Sequence, residues 1–202
     1  MKRLLKTTLA AAAALLACTA ALADITIGAS LSLTGPGSGL GIPMSNGLKM
    51  WPATVGGEKV KLIILDDATD PTKGVQNARR LVSEDKVDVI VGSGVTPVAI
   101  AMSDVAAESK TVQLALSPIG LPPGKDAWSF RMPQSNGVMA IAMVSHMVKH
   151  GVKSVGFLGY TDAYGEQWLQ ALIPVSYTHL DVYKRQSFSI VIKHNLYDVF
   201  ID

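Results

Sequence analysis

The sequence has a single cysteine, Cys18, in 202 residues. It lies within an N-terminal segment that reads as a leader to be removed, so the mature chain has no thiol. Disulfides, thiolate catalysis and cysteine-based metal sites are thereby excluded. Excess charge is also missing. Of the 18 basic and 16 acidic residues, three basic ones fall in residues 1–23, and three basic and three acidic ones in 175–202. Residues 24–173 keep twelve against thirteen, which offers nothing to a polyanion and gives a nucleic-acid role no electrostatic support. No apolar run reaches the roughly 20 residues that a membrane span needs. There is no internal repeat of 20–50 residues and no low-complexity tract outside the leader.

Several catalytic patterns fail on spacing. In Gly35-Pro36-Gly37-Ser38-Gly39-Leu40-Gly41, no register gives G-x-G-x-x-G, and no Lys-Ser or Lys-Thr follows for a phosphate loop. Ser38 and Ser93 each have glycine neighbours, but Pro36 and Val91 break G-x-S-x-G. His146 and His150 share a helix face, yet Met147 stands where a zinc protease carries Glu and no third ligand is in view. His150 is explained by the favourable position of a partial positive charge at a helix C-terminus. Asp70 reads as a helix cap, and Asp66 and Asp67 as ordinary turn residues. No carboxylate pair is placed for acid–base work. The expectation is a protein that is not an enzyme and has no cofactor or metal.

What is present organises around Val87–Glu108. Val87-Asp88-Val89-Ile90-Val91 is an apolar strand, and Gly92-Ser93-Gly94-Val95 breaks it. Thr96-Pro97 opens a helix whose Val98, Ala101, Met102 and Val105 fall on one face. Thr96 is expected as N-cap and Pro97 as first helical residue. The N–H groups of such a helix start suit a carboxylate or phosphate. The expected function of the turn is to hold the anionic end of a small molecule.

The other elements are read in order. Lys2, Arg3 and Lys6, the uncharged Leu9–Ala17 and the Ala21-Leu22-Ala23 site form a secretory signal peptide over residues 1–23. Leu15-Leu16-Ala17-Cys18 loosely resembles a lipoprotein box, which would anchor the chain through Cys18 instead. Ile25–Ala29 and Val60–Leu65 are strands, Ser30–Gly41 is a loop and Ile42–Trp51 a short helix. Asp70-Pro71 starts a helix with Val75, Ala78, Leu81 and Val82 buried. Val112–Leu116 is a strand and Trp128–Met132 an extended piece. Ser135 caps a helix to His150 that Gly151 stops, Val155–Leu158 is a strand, Thr161–Gly165 turns, and a helix begins at Glu166. Aliphatic strands alternating with helices predict an α/β fold with a doubly wound parallel sheet. Ligands then sit beyond the carboxyl ends of the strands, at Ser32–Gly41, Gly92–Thr96 and Ser117–Leu121.

Val175–Gln186, VSYTHLDVYKRQ, resembles a translated pair of transposon adapter ends. Its centre back-translates to TCTTATACACATCT followed by AGATGTGTATAAGA, an inverted repeat. Natural coding is expected to end at Ile173, with 174–186 adapter-derived and 187–202 unrelated. Tyr177, His179, Tyr183, Lys184 and Arg185 are therefore discounted as site residues.

The natural part resembles the periplasmic solute-binding proteins of branched-chain amino acid ABC importers. The resemblance rests on Leu33-Thr34-Gly35-Pro36 with Gly41 and Asn46-Gly47, Asp66-Asp67-Ala68-Thr69-Asp70-Pro71, and Asn77-Ala78 with Leu81. Val87–Gly92, Ser117-Pro118, Phe130-Arg131 and Asp162-Ala163-Tyr164-Gly165 complete it. It implies a two-lobed clamshell, acting as a monomer in the periplasm, that captures an amino acid or small carboxylate and delivers it to a membrane permease. The same fold used as a sensory module of a receptor or regulator is the alternative. Residues 24–134 would be the first lobe, incomplete, and 135–173 the start of the second, leaving a truncated clamshell. The family's carboxylate-holding hydroxyl and amides map onto Thr96, Gly94 and Val95, further contacts onto Ser117, Ile119 and Gly120, and the second-lobe tyrosine onto Tyr164. Leu40 stands where an aromatic is common.

Overall fold

The computed structural model describes residues 24–152, 155–179, 189–193 and 196–201. The leader, Cys18, Tyr183, Lys184 and Arg185 lie outside the described residues, as do the side chains of Tyr177 and His179.

The first sheet has six strands in the order β2-β3-β1-β4-β5-β6. They are β1 (Ile25–Leu31), β2 (Thr54–Val55), β3 (Glu58–Asp66), β4 (Val89–Gly92), β5 (Val112–Ala115) and β6 (Ser129–Arg131). All neighbours pair in parallel except β2, which meets β3 antiparallel across Gly56 and Gly57. Both glycines have positive φ, +62° and +91°, the conformation a two-residue hairpin turn demands. The fold is α/β with a doubly wound, mainly parallel sheet.

The strands alternate faces with period two. Ile27, Ala29, Leu31 and Val91 point to one side, where Leu48 of α1 (Ser38–Leu48) covers them. Ile90 points to the other, against α2 (Pro71–Ser83) and α3 (Thr96–Ser109) through Ala78, Leu81, Val98, Met102 and Val105. Leu81 is fully buried, worth about 1.5–3 kcal/mol for a side chain of its size. It approaches β1 closely because Gly28 carries no Cβ; one there would stand 2.7 Å from Leu81 Cδ2.

The sheet order places the topological switch between β1 and β4. From β1 the chain goes to β3 on one side, and from β3 it crosses to β4 on the other. The crevice at such a point is the favoured ligand position in open α/β sheets.

Asp70 caps α2 as the sequence predicts, accepting from the N–H groups of Thr72 and Lys73 at 2.7 and 3.4 Å. Ser135 caps α4 (Asn136–Lys149) through the Val138 N–H at 3.3 Å, and Gly151 follows at φ +66°. Two expectations need correction. Helix α1 covers Ser38–Leu48, not Ile42–Trp51. Gly41 lies inside this helix, buried against the Ser32 backbone, where a Cβ would collide with the Ser32 carbonyl, so this glycine permits close packing and does not make a turn. The N-cap of α3 is Val95, not Thr96, and no side chain caps it.

A second sheet, β7-β9-β8, is formed by β7 (Val155–Tyr160), β8 (Ser189–Lys193) and β9 (Leu196–Ile201), all antiparallel. Helix α5 (Ala163–His179) follows β7 and runs past Ile173 with Pro174 inside it. Asp162 caps it, accepting from the N–H groups of Tyr164 and Gly165 at 2.9 and 3.0 Å. Among the described residues no helix is long and apolar enough to cross a membrane.

Candidate functional site

The loops beyond β1, β3 and β4 meet at the switch point. A Cβ on Gly37 would touch Val95 Cγ2 at 2.7 Å, and one on Gly94 would touch Met44 Sδ at 2.5 Å and Leu40 Cβ at 4.0 Å. The start of α1 therefore lies across the Gly92–Thr96 turn. Leu40 is 54% exposed there. Of the expected set, the structure brings Leu40, Gly94, Val95 and Thr96 together.

The amides at this corner follow from helix geometry. Ala99 N–H bonds the Val95 carbonyl at 3.0 Å, and Val95 N–H bonds Ser93 Oγ at 3.3 Å. Pro97 has no N–H. The N–H groups of Thr96 and Val98 belong to the first turn and have no acceptor within the helix. The Thr96 side chain is 3% exposed, and its hydroxyl has no hydrogen-bond partner among the described residues. Had it capped the helix, one of these amides would be engaged.

Three polar groups hold the corner: Gln113, which the sequence reading passed over, and Asp66 and Asp67, which it treats as ordinary turn residues. Gln113, fully buried in β5, donates from Nε2 to the carbonyls of Gly92 at 2.9 Å and Ala99 at 3.0 Å. Its Oε1 accepts from Ser129 Oγ at 2.8 Å. One side chain thus ties the strand end before the turn to the first turn of α3. A glutamine amid an aliphatic strand was the signal available.

Asp66 and Asp67 fix the loop after β1. Asp66 accepts from the N–H groups of Leu33, Thr34 and Ala68 at 2.8, 3.2 and 2.8 Å and from Thr34 Oγ1 at 2.6 Å. Burial pushes its pKa up, but the Thr34 hydroxyl and the three N–H groups outweigh it, and the net direction is down. Asp67, fully buried, accepts from Ser32 Oγ at 2.5 Å and Thr69 N–H at 3.0 Å. Thr69 Oγ1 in turn accepts from Gly37 N–H at 2.9 Å, immediately before α1.

Ser117, Ile119 and Gly120 form a second group beyond β5. The Ser117 hydroxyl is sealed from solvent and has no partner among the described residues. Ile119 packs on Ala99 and Ala115. Its N–H is taken by the Ser117 carbonyl at 2.8 Å and its carbonyl by Arg131 Nη1 at 2.9 Å, so it has no free main-chain group. Gln167 of α5 donates to the Gly120 carbonyl at 3.3 Å, and a cavity of about 360 Å³ lies there between Ile119, Arg131, Asn136 and Gln167. Tyr164 is placed elsewhere. It stands edge-on to Trp168, centroids 6.4 Å apart, in an apolar cavity of about 470 Å³ with Met143, Phe157 and Leu172. Neither cavity is lined by Thr96.

His146 and His150 adjoin on the outer face of α4, with ring centroids 4.3 Å apart. Among the described residues no group of three potential metal ligands occurs.

Comparison with known proteins gives a consistent result. The periplasmic binding protein family matches over residues 24–182. A Leu/Ile/Val-binding protein homolog from Brucella melitensis is 33% identical over 158 residues, 73% of this chain and 42% of its own length. Among solved structures, an extracellular ligand-binding receptor from Rhodopseudomonas palustris is 39% identical with a TM-score of 0.72, over 77% of this chain and 43% of that one. A possible leucine/isoleucine/valine-binding protein from Rhodopirellula baltica is 26% identical with a TM-score of 0.70, over 84% and 47%. The chain therefore spans less than half the length of each of these relatives. With the family match covering most of its residues, the chain belongs to the periplasmic binding protein family.

Proposed function

We propose that the chain is the ligand-capturing part of an extracytoplasmic solute-binding subunit of an ABC importer. It takes an amino acid or another small carboxylate between two lobes and passes it to a membrane permease, without chemical conversion. The observation that carries this reading is the start of α3. At the switch point, the Thr96 and Val98 N–H groups lack helix acceptors and the Thr96 hydroxyl lies beside them. Leu40 and Met44 flank the same turn, which suits an aliphatic or aromatic body behind a carboxylate. The Brucella relative is named for leucine, isoleucine and valine.

Energetics explain why a second lobe is needed. Three hydrogen bonds to a carboxylate contribute about 1.5–3 kcal/mol each. Association costs at least about 4 kcal/mol, so this corner alone nets at most about 5 kcal/mol, a Kd no tighter than about 0.2 mM. Residues 24–134 are read as the first lobe and 135–173 as the start of the second. The first sheet ends at β6, and α4, β7 and α5 follow residues 132–135 without adding a strand to it, which supports that division. Export is assigned to the leader at 1–23, with lipid attachment at Cys18 as the alternative.

Residues 174–186 are read as adapter-derived, on the inverted repeat that VSYTHLDVYKRQ can encode. The family match reaches 182 and α5 reaches His179, so neither boundary falls at Ile173. The antiparallel pairing of β8 and β9 onto β7 departs from the parallel pattern of the first sheet. Sequencing genomic DNA across codons 174–187 decides the point: an uninterrupted reading of these codons refutes an adapter origin.

The function is tested by a thermal-shift screen of amino acids and small aromatic and aliphatic carboxylates, on protein carrying both lobes. A dose-dependent rise in Tm with one of these classes is expected. No shift with any of them would remove the reading.

A further inference from the structure

We propose that His146 and His150 form a surface chelate for copper(II), completed by water and separate from the solute cleft. The two residues are four apart, His146 in the last turn of α4 and His150 at its C-cap, and both are exposed. Their ring centroids are 4.3 Å apart with planes tilted by 41°. A side chain at i and another at i+4 are natural neighbours on a helix, so neither ring leaves its own turn to share an ion.

The rings are close enough to share one ion: with a metal–nitrogen bond of about 2.0 Å and roughly 1.2 Å from nitrogen to ring centre, an ion sits about 3.2 Å from each centroid, so two rings on one ion have centroids within about 6.4 Å, and these are 4.3 Å apart. The choice of ion rests on ligand chemistry: imidazole suits copper, nickel and zinc, and of these copper(II) binds a given nitrogen site most tightly. His150 also closes the last turn of α4, where the negative end of the helix dipole favours a cation. Among the described residues no third histidine or carboxylate joins the pair, so water fills the other positions.

The test titrates copper(II) chloride into the full chain in a non-coordinating buffer, read by calorimetry and by electron paramagnetic resonance. The expected result is one copper ion with hyperfine coupling to two nitrogens, and zinc at least about tenfold weaker. His146→Ala and His150→Ala each convert a chelate into a single ligand and lower copper affinity by about tenfold or more. His179 and His194, the remaining histidines, are kept in every variant, and circular dichroism checks that α4 is intact. A one-nitrogen spectrum of the unmodified chain overturns the proposal without recourse to variants. So does unchanged copper affinity in the double variant, or zinc binding as tightly as copper.

Discussion

Replacing Gln113 by leucine probes how the turn after β4 is held. The side chain is fully buried and makes three hydrogen bonds, at 2.9 and 3.0 Å to the carbonyls of Gly92 and Ala99 and at 2.8 Å from Ser129 Oγ. Leucine is close in volume, so the cavity contribution is small. Two groups then lose a partner inside the protein, the Gly92 carbonyl and the Ser129 hydroxyl. Ala99 lies within α3, where its carbonyl keeps a helix donor. Each buried group left without a hydrogen bond costs about 1–3 kcal/mol, so the loss is about 2–6 kcal/mol. Against a typical total of about 5–15 kcal/mol, that is a large fraction. Urea unfolding followed by circular dichroism measures it as a lower midpoint at unchanged slope. A loss below about 1 kcal/mol would refute the reasoning, because it would mean that the carbonyls find other donors.

Gln113→Glu separates hydrogen bonding from shape. A carboxylate in that place faces the carbonyl oxygens of Gly92 and Ala99, both acceptors. The ionised form is disfavoured and the glutamate pKa in the folded protein rises. A raised folded value means that the variant's stability is greatest below the unfolded pKa of about 4.3 and falls as pH increases through the folded one. The leucine variant has no such slope, so the difference between the two stability profiles isolates the charge.

Three further outcomes are expected. Gly41→Ala sets a methyl group against the Ser32 carbonyl and lowers stability by about 1–3 kcal/mol, whereas Gly47→Ala, in the same helix with open space around it, raises it by about 0.5–1 kcal/mol. Equal effects in urea unfolding would contradict the packing role given to Gly41. Asp66, whose pKa is lowered by its hydrogen bonds against burial, contributes stability that is fully present above the unfolded value of 3.8 and lost as pH falls through the lower folded value. Asp66→Asn removes that part of the acid slope, and an unchanged acid limb in pH-dependent melting would be the contrary result. Thr96→Val keeps the shape and removes a hydroxyl that has no partner among the described residues. It leaves unfolding unchanged while lowering carboxylate affinity about 10- to 100-fold, measured by calorimetry on protein carrying both lobes; unaltered affinity would take Thr96 out of the site.

The elements legible in the sequence are those whose cause is local. Asp70-Pro71 and Ser135 announce α2 and α4 because a cap and the helix it caps are adjacent in the chain. The aliphatic strands announce a sheet covered on both faces for the same reason. The start of helix α1 is placed too late because Gly41 reads as part of the loop, whereas it packs on Ser32, a contact that no local period encodes. Asp66 and Asp67 look like ordinary turn residues because their partners, Thr34 and Ser32, are 32 and 35 residues away. The same division runs through the site. The α3 start is found from Gly92–Thr96 alone, since a glycine turn and a helix start are consecutive. The contacts transferred by resemblance behave differently once folded. Ile119 is drawn into the core under α3, and Tyr164 stands in a cavity of the second sheet. Both had been placed by mapping the family's contacts onto turns after strands, which fixes where the backbone turns but not which way the side chain goes. Gln113 is the instructive exception. Its partners are distant, yet a single amide in an otherwise aliphatic strand is visible without them, because a buried polar side chain requires partners of its own. The polar residue that breaks a strand's pattern therefore points to the part of the corner that local signals cannot reach: what ties the strand end to the helix start.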